Sequence, residues 1–151
     1  MLEKIKVWIL HFLDKVWRRN FLTEDKLKGN APYFPFELNK IEGGYAIIAQ
    51  LESDRLYPLY YDFFKKHGYE GNGYCWEGHI EQILEKLDED LLEELDFDPE
   101  AASFYVYADS KKAQKKFVKL LAPIFSDLEK LEIWVKRAEL DRIGIKRNGA
   151  T

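Results

Sequence analysis

Apolar residues recur along this chain at two different periods, and the changes of period lay out its elements. Leu2, Ile5, Ile9, Phe12 and Val16 fall at helical spacing, with Trp8 and Trp17 widening the stripe and Lys4, Lys15, Arg18 and Arg19 ringing it. The period is lost over residues 20–32, where Gly29, Asn30 and Pro32 mark a linker. Residues 34–41 read as extended, with Pro35 at a strand start or on an edge strand. Glu42, Gly43 and Gly44 form a turn, and residues 45–51 form a second strand, so the pair is a β-hairpin. Residues 55–67 then turn helical. Leu56, Leu59, Tyr60, Phe63 and Phe64 share one face, Pro58 sits in the first turn, and Gly68 ends the helix.

A compact block follows: Gly71, Asn72, Gly73, Tyr74, Cys75, Trp76, Glu77. Its first three residues tolerate left-handed backbone angles, which predicts a sharp turn. Beyond it, residues 77–87 carry Ile80, Ile83, Leu84 and Leu87 at helical spacing. Residues 92–98 read as extended and 103–108 as an aromatic strand, giving a second hairpin across Asp98, Pro99, Glu100 and Ala101. Ser110 caps a helix that turns Ala113, Phe117, Leu120 and Leu121 inward. Pro123 breaks this helix or opens the next, which buries Leu128, Leu131, Trp134 and Val135 before a fraying tail at 146–151.

The order hairpin, helices, hairpin, helices predicts an α+β fold: a mainly antiparallel sheet of four to five strands with helices on one face, preceded by an N-terminal amphipathic helix. The 151 residues fit one domain, taken as 31–151, with residues 1–30 as an appended helix and linker.

Charge changes the picture more than composition does. The formal net charge is only −4, but residues 1–30 hold 7 basic and 4 acidic side chains, or +3. Residues 31–108 hold 5 basic and 17 acidic, or −12, and residues 109–151 hold 11 basic and 6 acidic, or +5. An acidic middle between basic ends suits a partner selected by charge, or a chain whose own parts attract. The N-terminal stripe is interrupted after residues 7–10, far short of the roughly 20 apolar residues a membrane span needs. No small-residue cleavage site follows it, so no secretion leader is expected. A helix docked on its own domain or on a second copy is the ordinary reading, and a helix lying on a membrane surface is the sharper alternative. The single cysteine excludes an internal disulfide and points to a reducing, cytoplasmic setting.

Candidate chemistry is sparse. His11, His67 and His79 make no zinc pattern, and no cofactor motif is present. Cys75 and His79, four apart, would be neighbours on a helix and could pair as a nucleophile and base. No oxyanion loop or orienting group accompanies them, and cysteine is among the most commonly buried residues. Lys111, Lys112, Lys115, Lys116 and Lys119 stripe one helix face, yet no aromatic or arginine interleaves them for reading nucleic acid. Asp88, Glu89, Asp90, Glu93, Glu94, Asp96, Asp98 and Glu100, with Glu85 ahead of them, put nine carboxylates into sixteen residues against Lys86 alone. They lack the regular offsets and central glycine of a calcium loop. A solvated acidic face is the plain reading, and a docking surface for a basic protein is the functional one.

From about residue 36 to about 140 the chain resembles the immunity protein 51 family of bacterial polymorphic toxin systems. The resemblance rests on Gly71, Asn72, Gly73, Tyr74, Trp76 and Glu77 with the preceding Gly68, Tyr69 and Glu70. The block 96–101 before the aromatic strand and the closing residues 137–140 support it. It implies an α+β protein without catalytic activity or cofactor, whose partner is a cognate toxin domain that it binds and neutralises inside the producing cell. Many such toxins are nucleases with basic clefts, against which an acidic patch gives fast, steered association. A general protein-interaction domain, perhaps dimeric and with no toxin partner, is the competing reading.

Overall fold

A computed structural model describes residues 32–144. The helix expected at the N-terminus and the tail beyond 145 lie outside the described residues. Strands β1 (Glu37–Ile41), β2 (Gly44–Gln50), β3 (Leu95–Phe97) and β4 (Ser103–Ala108) form one sheet in the order β1-β2-β4-β3. Every pairing is antiparallel. Among the described residues, four α-helices accompany it: α1 (Tyr57–Lys66), α2 (Gly73–Leu87), α3 (Lys111–Phe125) and α4 (Leu128–Arg137). Short 3-10 turns occupy Glu89–Glu94 and Leu140–Arg142. The fold is α+β, as the periods predict. None of the described helices is long and apolar enough to cross a membrane.

Alternation along the central strands decides what faces the helices. Ile47 and Ala49 of β2 and Phe104, Val106 and Ala108 of β4 join one buried cluster with Leu59, Phe64, Trp76, Ile80, Phe117, Phe125 and Leu131 from the four helices. The same hydrophobic set supplies the stripes of α1, α2 and α4 read from spacing, though Leu128 and Trp134 are only partly buried and Leu87, expected inward at the end of α2, is exposed. Buried Gln114 ties α3 to the hairpin, its amide donating to the carbonyls of Ala46 at 2.9 Å and Asn39 at 3.3 Å.

Several boundaries differ from the pattern for identifiable reasons. The first strand begins at Glu37, not 34, because Phe36 N–H closes a turn on the Tyr33 carbonyl at 2.8 Å. That turn folds Phe34 and Phe36 into the core. Helix α1 spans Tyr57–Lys66, inside the expected 55–67. Residues 89–94 form a 3-10 turn, so 92–94 are not extended as expected: Leu91 N–H bonds the Asp88 carbonyl at 3.2 Å, and Leu91 is the buried side chain of that turn. Only Leu95–Phe97 remains for the strand. Pro123 neither ends α3 nor opens α4. It lies inside the last turn of α3, where burial of Ile124 and Phe125 outweighs the missing backbone bond, and Asp127 caps α4 anew. On α3, Leu120 is only partly buried, while Gln114 and Val118 take inward positions.

Candidate functional site

The glycine-rich block is the start of α2, four residues earlier than spacing indicates. Asn72 is the N-cap: its Oδ1 accepts from Cys75 N–H at 2.9 Å, and its Nδ2 donates to Glu70 at 3.0 Å. Only Gly71 takes a left-handed angle, φ +73°. The expected run of left-handed residues is therefore corrected: Asn72 has φ −82° and Gly73 is helical. Gly73 is needed for a different reason. A Cβ there would lie 2.0 Å from the Glu100 carbonyl oxygen and 2.3 Å from that of Ser103. The helix start is thus pressed against the β3–β4 turn, with Gly73 N–H donating to the Ala101 carbonyl at 3.3 Å.

Of the aromatic pair, Tyr74 is half-buried and Trp76 is fully enclosed. The indole packs against Phe125 at 4.8 Å between ring centroids, Tyr60 at 5.0 Å, Phe36 and Phe64 at 6.1 Å and Phe104 at 6.2 Å. Glu77, one position on, is also buried. The motif residues are therefore mostly architecture, with Tyr74 and the exposed side of Asn72 as what they offer to solvent.

Cys75 and His79 do lie on one helix, but both are sealed from solvent, at 1% exposure each. Burial pushes the Cys75 thiol up to about 12, which a backbone hydrogen bond at Gly71 opposes only in part and the charge of Glu70 reinforces. A thiol held neutral is a poor nucleophile. Burial likewise lowers His79 to about 4, with His67 nearby adding to the effect. Its ring packs on Tyr69 at 4.7 Å and Phe64 at 5.3 Å, and Nε2 has no hydrogen-bond partner among the described residues. His67 beside it lies 3.5 Å from Glu132. The pair has neither the protonation state nor the access that catalysis requires.

One pH effect follows with a definite sign. His79 binds a proton near pH 6.5 when unfolded but only near 4 when folded. Its neutral form supports the fold fully above 6.5, and that support is lost as the pH falls through 4. Urea titrations should show a loss of roughly 3 kcal/mol between pH 6.5 and 4 attributable to this group. His79→Leu, compared with the parent at each pH, should remove that part of the slope. Parallel slopes for the two proteins would refute it.

The acidic segment is long rather than compact. Asp88 is the C-cap of α2, and Glu89, Asp90, Glu93 and Glu94 ride the following 3-10 turn. Asp96 lies on β3, and Asp98 and Glu100 on the turn that returns beside Gly73. The carboxylates therefore run from the C-terminal end of α2 back to its N-terminal end, a helix of about 22 Å. All but Asp88 and Glu94, which are half-exposed, stand open to solvent. None of the eight forms an ion pair among the described residues. Glu85 differs: Arg142 grips it with both terminal guanidinium nitrogens, Nη1 at 3.1 Å, and holds its carboxyl below the usual range. Arg142 also reaches Glu139 at 3.4 Å, an anchor for the C-terminal turn that spacing alone does not reveal.

The lysine stripe is solvated along α3 except at Lys115, whose Nζ lies 3.3 Å from the Tyr33 hydroxyl and over that ring. Among the described residues, no group of three or more His, Cys, Asp or Glu side chains is placed to hold a metal ion.

No curated protein and no solved structure matches this chain. A family model does, over residues 36–140, which include the helix-opening block, the acidic segment and all four strands. The chain belongs to the family described as immunity protein 51.

Proposed function

We propose that this chain is the neutralising partner of a bacterial toxin domain, acting by binding without chemistry of its own. Family membership carries the general role. The observation that supports the mode is the acidic segment: eight carboxylates, mostly exposed, with no cation pairing them among the described residues. Asp88, Glu89 and Asp90 also stand at the C-terminal end of α2, where the helix dipole disfavours negative charge. Such a cluster works against the fold's own stability, and a basic partner would relieve it. The partner in this reading is a toxin with a basic surface, such as a nuclease cleft, met in the cytoplasm. A sealed Cys75 and a neutral His79 fit a protein that inhibits by contact.

Steering by a charge of this size is long-ranged, and salt screens it beyond about 8–10 Å at 0.1–0.15 M. In stopped-flow mixing with a purified cognate toxin domain, the association rate should drop on the order of tenfold or more between low and high salt. The dissociation rate should change much less. A salt-independent association rate would remove the acidic segment from the mechanism, and absence of any complex would remove the toxin.

A further inference from the structure

The sheet has a second face, and its residues are not those of the core. Ile47, Ala49, Phe104, Val106 and Ala108 point to the helices. The intervening positions point away, and the register lines them up in two rows across the strands. One row runs Glu37, Ile48, Tyr105, and the other Asn39, Ala46, Tyr107, Asp96. Ala46 and Ile48 in these rows are buried, yet neither belongs to the core cluster. Tyr105 and Tyr107 are partly exposed, with ring centroids 5.7 Å apart. Asp98 joins them, its N–H donating to the Tyr105 carbonyl at 3.0 Å. Besides partial burial, the charges of Asp98, Asp96 and Glu100 act directly on the Tyr107 hydroxyl. Among the described residues, no cation lies over either ring.

We infer that this tyrosine face, not the 3-10 turn, is where the toxin seats. The inference rests on the immunity reading and narrows it. Two adjacent tyrosines on a rigid central strand give broad, amphipathic contact area at small entropic cost, as interface anchors do. The rim around them is acidic: Glu37 on one edge strand, Asp96 on the other, Asp98 and Glu100 at the turn. Arginine and lysine side chains are the complement to such a surface, since they stack on aromatic faces and pair with carboxylates together. Asp88, Glu89, Asp90, Glu93 and Glu94 then steer the approach from outside the contact. The occupant is a basic protein surface of the toxin.

The probe is a purified cognate toxin domain, titrated against the full-length protein. Tyr105→Ala with Tyr107→Ala should weaken binding at least 100-fold, chiefly through faster dissociation. Asp96→Asn with Asp98→Asn should weaken it about tenfold and flatten the salt dependence. Glu89→Gln with Glu93→Gln should slow association at low salt while leaving the dissociation rate unchanged. Nitration by tetranitromethane, followed by peptide mass spectrometry, needs no variant. Tyr105 and Tyr107 should react in the free protein and be protected in the complex. If the complex forms but both tyrosines nitrate as before, or the tyrosine variant binds as tightly as the parent, the face is wrong and the immunity reading stands. If the parent forms no complex, both fall. Protection in the free protein at low concentration would assign the face to the chain's own residues 1–31. Protection that grows with concentration, with a doubled mass by light scattering, would assign it to a second copy. Either result overturns the proposal.

Discussion

Trp76→Ala should leave a protein with little remaining stability, by a loss of about 3–5 kcal/mol in a urea melt. Trp76 heads the largest fully buried side chains and touches rings from every layer: Phe36 before β1, Tyr60 and Phe64 on α1, Phe104 on β4 and Phe125 on α3. Truncation removes the indole's burial and leaves a cavity whose walls come from four separate segments. No single one of them can collapse to fill it. Small domains hold roughly 5–15 kcal/mol in total, so the loss is a large fraction of the whole. Trp76→Phe separates the contributions. It keeps most of the aromatic volume and deletes an indole N–H that has no acceptor among the described residues. Its cost should be well under half that of the alanine variant. A Trp76→Ala protein with an unchanged midpoint and lost toxin binding would make the indole an interface anchor, against its complete enclosure.

The helical stripes were legible because burial in this fold follows period. Leu59, Tyr60, Phe63 and Phe64, then Ile80, Ile83 and Leu84, repeat every three to four residues, and each set is buried as spacing requires. The aromatic strand was legible for the same reason at period two. Residues 89–94 were not. There the apolar residues are few and irregular, and what sets the backbone is a chain of local hydrogen bonds from Asp88 through Leu95. The fate of Pro123 was equally hidden, because it depends on how strongly the core draws in Ile124 and Phe125. Among candidate site residues, the acidic run could be read as charge but not as a path along α2, which needs the chain's return through β3. The tyrosine face lay in plain view as Tyr105 and Tyr107 two apart. It acquires meaning only once the register sets Asp96 opposite Tyr107 and Glu37 opposite Ile48.

Gly73 makes the sharpest claim about the helix-opening block. Its composition suggests a residue chosen for backbone freedom, and its observed angle is ordinary helix. What excludes a side chain is space: the missing Cβ would sit 2.0 Å from one backbone oxygen and 2.3 Å from another. Neither obstacle is a flexible side-chain end that could swing aside. They are backbone of the β3–β4 turn and of the first residue of β4, and the turn is pinned by Glu100 N–H to the Ser103 carbonyl at 2.9 Å and by Leu51 N–H to the Ala102 carbonyl at 3.1 Å. Gly73→Ala should therefore cost about 3 kcal/mol or more, the upper range for inserting atoms into filled space, despite alanine's better helix propensity. The damage should be local in origin. Amide exchange should accelerate first at the start of α2 and in residues 98–103, where the two segments must separate. Gly44→Ala is the matched control, since its added carbon would meet only the Ala108 carbonyl oxygen at an ordinary 3.5 Å. That variant should melt within about 1 kcal/mol of the parent. Equal melting of the two alanine variants would mean that the turn yields freely and that Gly73 is present for its conformational freedom after all. With the turn held as described, the same substitution should also displace Asp98 and Glu100 from the edge of the tyrosine face. Toxin affinity should then fall in protein that remains folded at low temperature.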